Sequence, residues 1–216
     1  MDSYIEFFEN FEIDINDAFS WGIENTIFPN IEIVEKAWIE LRAKITNNQP
    51  VYIRGYGRDA HATHLYFDFY KYLFNNECVK KDPTNNAIPQ RNIEKLTGLK
   101  RNRDIFNYQV SHIFGRTKNI FLFEAPWNIA YVPKIMDPFT GHEAKGDLPI
   151  KYQALFLQKA VERYEKYIKE YNSLIQGLNI SDKISQFYNI KKETVDTKLL
   201  DQFVIDCAKE FELISM

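Results

Sequence analysis

Apolar residues recur along this chain at two spacings, and each predicts its own kind of element. Over residues 31–45 they fall at Ile33, Val34, Ala37, Trp38, Leu41 and Ile45, the stripe of an amphipathic helix opened after Pro29-Asn30 and stopped at Asn47-Asn48. Helical spacing returns over 59–74 (Leu65, Phe69, Tyr72, Leu73) and over 89–99 (Ile93, Leu96, Leu99). After Pro149 it dominates. Tyr152, Leu155, Phe156, Val161, Tyr164, Tyr167, Ile168, Tyr171 and Ile175 mark one long helix ending near Gly177, with shorter helices over 178–187 and 194–213. Residues 1–30 mix Phe7, Phe8, Phe11, Phe19, Trp21 and Phe28 among polar residues and read as short helices joined by turns. Continuous apolar runs are rarer. Residues 50–53 read as a short strand entering a turn at Gly55 and Gly57, flanked by Arg54 and Arg58. Two further runs, 108–114 and 120–125, flank Gly-Arg-Thr-Lys-Asn and predict a β-hairpin. Residues 75–86 are polar and read as a loop. The 89–99 helix with its Thr97-Gly98 turn has the outline of the first half of a helix-turn-helix, whose second helix would run from 101 to about 107. The fold class expected is α+β, a mostly helical chain around a small module of two strands and a helix.

Length and composition narrow the class. A chain of 216 residues with 45% hydrophobic and 15% aromatic residues buries a sizeable core. No apolar run is long enough to span a bilayer, and the Met-Asp-Ser-Tyr-Ile-Glu start lacks the layout of a signal peptide, so the expected place is the cytoplasm, with no membrane partner. Cys78 and Cys207 stand far apart, which suggests neither a disulfide framework nor a zinc ribbon. His61 and His64 could face one ion from a helix, but no third ligand lies near them in the sequence. Net charge is −3, yet residues 79–118 carry nine basic against three acidic side chains, so this segment is about +6 and the remainder about −9. That local excess suggests a phosphate-binding approach through Arg91, Lys100, Arg101, Arg103, Arg116 and Lys118, with Lys145 further on.

The candidate chemistry lies in residues 107–149. Ser111-His112-Ile113 ends the first apolar run, Asn128 follows Pro126-Trp127, and His142-Glu143-Ala144-Lys145-Gly146 follows a Pro/Gly-rich loop where a helix can begin. This His–Asn–His order resembles the HNH nucleases, whose ββα-metal fold binds one divalent ion. The resemblance covers roughly a fifth of the chain and implies a type II restriction-like endonuclease acting on double-stranded DNA. It implies His112 as general base, Asn128 as the brace of the loop and His142 as a metal-holding catalytic residue. The family usually has an acid before the first His, where this chain has Ser111; Asp137, in a longer Asn-to-His gap, is the candidate second ligand. The chemistry fits independently of the family: hydrolysis of a phosphodiester needs a base near neutrality and a cation such as Mg²⁺ or Mn²⁺. Two other readings remain. One is a nuclease of the acid/Glu-x-Lys type using Glu124 with Glu143 and Lys145; the other is a non-catalytic helix-turn-helix regulator. The expected organisation is a helical part over 1–106 carrying the DNA-recognition segment, the nuclease module over 107–149, and a helical part over 150–216 packed on the same domain. The tyrosine-rich stripe of that last part either packs on the body or builds a homodimer.

Overall fold

Side-chain caps start four of the eight α-helices in a computed structural model that describes residues 1–141 and 144–216, the side chains of residues 58 and 59 apart. Asp2 Oδ1 accepts from Tyr4 N at 2.9 Å to open α1 (Ser3–Asn10), and Asp14 accepts from Asn16 N and Asp17 N to open α2 (Ile15–Glu24). Asn30 caps α3 (Ile31–Thr46), as the Pro29-Asn30 signal predicts. Residues 51–53 form β1 (Val51–Ile53), and a 3-10 turn (Gly57–Ala60) leads into α4 (Thr63–Phe74), which starts four residues later than its stripe suggests. The polar 75–86 stretch contains a strand, contrary to its composition. β2 (Val79–Lys81) pairs in parallel with β1, with α4 as the crossover such a pair requires. Only Val79 of its three residues is buried, which is why its composition reads as loop.

Asp82 then starts α5 (Ala87–Thr97). Its fully buried carboxylate accepts from Thr84 N, Ala87 N and Ile88 N, the last at 2.6 Å. Gly98, with φ of 74°, ends α5 in the left-handed conformation that glycine adopts without strain. The second helix of a helix-turn-helix does not follow. Residues 100–105 form a turn in which the Lys100 carbonyl accepts from Arg103, Asp104 and Ile105, and Arg101 bridges to Ile105. Asn102 and Asn107 both take positive φ there, which a helix cannot accommodate.

The hairpin also differs from its expected form. β3 (Tyr108–His112) pairs antiparallel with β4 (Ile129–Pro133), from Tyr108 opposite Pro133 to His112 opposite Ile129. The 120–125 run is no strand; it is a chain of buried turns within the 113–128 loop, closed by bonds such as Leu122 N→Asn119 O and Ala125 N→Leu122 O. A short apolar run buried on all sides carries no periodicity that separates strand from loop. After a 3-10 turn (Asp137–Thr140), α6 (Asp147–Leu178) begins at Gly146, whose φ of 97° suits glycine. α6 carries the tyrosine stripe and is kinked at Tyr164; α7 (Ile180–Lys191) and α8 (Thr197–Glu210) complete the chain.

The stripe is spent inside this chain. Tyr152, Tyr164, Tyr167 and Tyr171 are all buried, and Tyr164 donates to Pro29 O at 2.9 Å, so they offer no seam for a second copy. One apolar core runs from Phe8 to Ile214 and joins all three expected parts, while a smaller cluster seals α5 onto β3 and β4 through Ile93, Leu96, Val110, Ile129 and Tyr131. Among the described residues no helix is long and apolar enough to cross a membrane. The architecture is mixed α and β, mostly helical with four short strands among the described residues.

Candidate active site

The 113–128 loop leaves β3 at His112 and returns to β4 at Asn128, and side chains hold its neck closed. Ile113 N donates to Asn128 O at 2.8 Å, adding a rung beyond the strands. The fully buried Asn128 amide does the rest. Its Oδ1 accepts from Phe114 N at 2.8 Å, and its Nδ2 donates to Leu122 O at 2.9 Å and Gly115 O at 3.3 Å. These bonds satisfy backbone groups that no strand or helix serves, which is what a buried irregular loop requires.

His112 sits at this neck, 7% exposed, with its ring stacked on Phe123 at 5.2 Å between centroids and 20° between planes. Its Nε2 lies 3.0 Å from Phe123 O. A carbonyl can only accept, so that contact requires the proton on Nε2 and makes Nδ1 the lone-pair nitrogen of the neutral ring. Two fixed features, the stacking and the hydrogen bond, therefore set both the plane and the tautomer of this imidazole. Ser111, standing where the resemblance expects an acid, is buried at 5% exposure within β3.

Asp137 opens the 3-10 turn that packs against β3 and α6, with Thr140 Oγ1 donating to Asp137 O at 2.7 Å. Further on, Ala144 N donates to Pro138 O at 3.1 Å. His142 and Glu143 lie outside the described residues. Among the described residues, no group of three or more His, Cys, Asp or Glu side chains converges on a point that could hold a metal. Asp137 fits a Mg²⁺- or Mn²⁺-class ion in kind, as a hard oxygen donor; the described residues alone do not make a complete site. Lys145 is exposed on irregular chain just before α6, off the strand that a Glu-x-Lys motif normally occupies.

The expected DNA contacts divide. Arg91, Lys100, Arg103 and Lys145 are exposed, and Arg101 is half-buried with its guanidinium donating to Gln109 Oε1 at 2.9 Å. Lys118 is removed from any surface a duplex could reach: it is 9% exposed, its ammonium donates to His61 O at 2.9 Å, and it lies over the Tyr66 ring. Arg116 is committed to the C-terminal segment, donating to Glu212 O and to Leu213 O. The histidine pair at 61 and 64 is exposed and belongs to no metal-ligating group among the described residues.

Three features of this region escape sequence reading. Phe123 acts through its carbonyl, which no residue type signals. Asn119, fully buried, docks the loop on α8 by donating to Glu210 O at 2.8 Å and to the Tyr171 hydroxyl at 3.0 Å. Glu210 reciprocates: its Oε2 accepts from Lys118 N and Asn119 N, each at 3.0 Å, while burial pushes its carboxyl up to about 7 against the lowering effect of those amides.

The family model described as Uncharacterised protein PM1201 matches residues 29–216. A protein of the same description from Pasteurella multocida (strain Pm70) is 38% identical over 216 residues, spanning 99% of this chain and 97% of its own. No solved structure matches this chain. With a family match over most of its length and a relative aligned nearly end to end, the chain belongs to the PM1201 family.

Proposed function

We propose that this protein is a metal-dependent DNA endonuclease of the HNH type, with residues 107–149 as its catalytic module. The observation that carries the reading is the His112 Nε2 contact to Phe123 O at 3.0 Å. It supports a base whose acceptor nitrogen is defined before substrate arrives, at the end of the first strand of a two-strand hairpin that leads into a helix. Asn128 holds the loop neck on which that geometry depends. In the reaction, Nδ1 of His112 takes a proton from water as the water oxygen bonds to phosphorus. The bond from phosphorus to the leaving sugar oxygen breaks, and that oxygen takes a proton from solvent. Asp137 and His142 would hold the divalent ion, which would supply Lewis acidity at the phosphate. The large helical remainder supports site-specific, restriction-like cutting, since it offers surface on which a sequence can be read.

The test is to incubate purified protein with plasmid and several unmethylated genomic DNAs in Mg²⁺ or Mn²⁺. Discrete fragments are expected. His112→Ala should bind DNA and metal normally and cut about 10²- to 10⁴-fold more slowly, and the parent should lose activity below about pH 6 as the imidazole takes up its proton. Near-parental cutting by well-folded His112→Ala protein would overturn the assignment.

A further inference from the structure

A groove of about 420 Å³ lies between α3 and α5, and Glu124 and Pro126 of the 113–128 loop, but not His112, help line it. Glu124 is the acid that the Glu-x-Lys reading singled out and that the HNH reading leaves without a role. Its Oε1 accepts from Tyr52 N at 2.6 Å, and its Oε2 has Asn92 Nδ2 at 3.5 Å, a contact at the limit of hydrogen bonding that leaves this oxygen with acceptor capacity. Burial is the largest influence on the carboxyl and raises its proton affinity, so a donor in the groove would relieve a desolvated charge. Beside this polar floor stand the apolar side chains of Ile33, Leu41, Leu96 and Pro126. Lys36, Lys44 and Lys95 also line it, with Glu32 and Glu40 alternating with the first two along α3.

An apolar-walled slot with an acceptor and an amide donor side by side at its floor, and cations around it, matches a flat ring that carries N–H donors and an attached phosphate. The volume lies near the low end of the range for small-molecule pockets. We propose that this groove binds a nucleotide through an amino-bearing nucleobase, with the base amino group donating to Glu124 Oε2 and the phosphate meeting the lysines. Carboxylate acceptors suit the exocyclic amino group of cytosine, whereas uracil presents its single N–H between two carbonyl oxygens that repel a carboxylate. A second hollow shares Ile33, Lys95 and Leu96 with the first and continues to Arg163, so the bound unit can be a free nucleotide or one residue of a strand lying along this face. The peptide joining Phe123 to Glu124 links the groove to the base: its carbonyl holds His112, and its next side chain forms the floor of the groove.

The experiment is a calorimetric titration of full-length His112→Ala protein in EDTA, so that binding is read whether or not the protein cuts DNA. The probes are CMP, GMP and UMP, then single-stranded (dC)₈ and (dU)₈. Saturable CMP or GMP binding, with UMP at least about tenfold weaker, supports the free nucleotide as source. Binding of (dC)₈ over (dU)₈ by the same margin, without mononucleotide binding, supports the strand; about tenfold corresponds to one good hydrogen bond to a charged acceptor. In either case Glu124→Gln should abolish the preference. Lys95→Glu, an exposed change that leaves the floor intact, should weaken all binding by a similar factor. Absence of saturation by every probe, or equal binding by parent and both variants, would overturn the proposal while leaving the nuclease reading to its own assay.

Discussion

Two basic corners lie on either side of β3. In the 116–119 corner the cations point into the protein: Arg116 donates to the carbonyls of Glu212 and Leu213, and Lys118 reaches His61 O over the Tyr66 ring and is 9% exposed. In the 100–104 turn they point to water. Lys100 is exposed, Arg101 leans on Gln109, and the Arg103 side chain, 63% exposed, pairs with its neighbour Asp104. Moving a cation out of water is costly unless fixed acceptors meet it. The corner has such acceptors because α8 and the start of α4 abut it, whereas the turn is covered by neither. The same residue types therefore serve stability in one place and remain available to a polyanion in the other.

That contrast can be broken by stability measurements. Lys118→Ala removes a charged hydrogen bond and empties the space over the Tyr66 ring, a loss of about 2 kcal/mol. Arg103→Ala should stay within about 0.5 kcal/mol, because exposed ion pairs contribute little. Urea unfolding of the two variants beside the parent measures both. Equal losses would mean that the corner is no better integrated than the turn.

The sequence carries some of this and hides the rest, for identifiable reasons. α3 and α6 are legible because each buries one continuous stripe, and α3 also announces its cap at Asn30. His112 is legible as the end of its strand, whereas Asn128, expected just past the second strand, instead stands immediately before β4. The partner strand is not legible. The 120–125 run is more hydrophobic than β4, yet Asn119 caps it as a turn through Phe121 N→Asn119 Oδ1 at 2.8 Å. The charge excess over 79–118 is legible as a sum, and the direction of each side chain is not: burial of Lys118 depends on α4 arriving from fifty residues earlier. The groove at Glu124 is built from elements distant in sequence and has no local signature.

Glu210 sharpens the comparison from the opposite side, because it makes the corner sensitive to pH. Its carboxyl is raised from 4.5 to about 7, chiefly by burial, so between those values the folded protein keeps a proton that the unfolded chain releases. Folding is therefore favoured more at the acid end of the window, and stability falls as pH rises from about 4.5 to 7 and then levels. The shift sets a cost on the order of 3 kcal/mol above pH 7. Glu210→Gln keeps an acceptor for Lys118 N and Asn119 N but carries no charge. It should melt higher than the parent at pH 8, match it near pH 5, and show a flatter profile between. A variant profile parallel to the parent's would show that the carboxylate is solvated and the corner less closed than the geometry implies.

The smallest effect belongs to the exposed turn and is read in DNA binding under the nuclease reading. Reversing Lys100, Arg101 and Arg103 to Glu should flatten the dependence of log K on log salt, by about 0.9 for each phosphate that is no longer neutralised. Since Arg101 and Arg103 already share their guanidinium groups with Gln109 and Asp104, the expected flattening is about one to two units rather than the value for three phosphates. Arg116→Gln is the matched control, since its hydrogen bonds run to Glu212 O and Leu213 O and not outward. It should leave the salt slope unchanged and lower the melting temperature instead. An unchanged slope in the turn variant would take residues 100–103 out of the interface, and a slope change from Arg116→Gln alone would reverse the roles of the two corners.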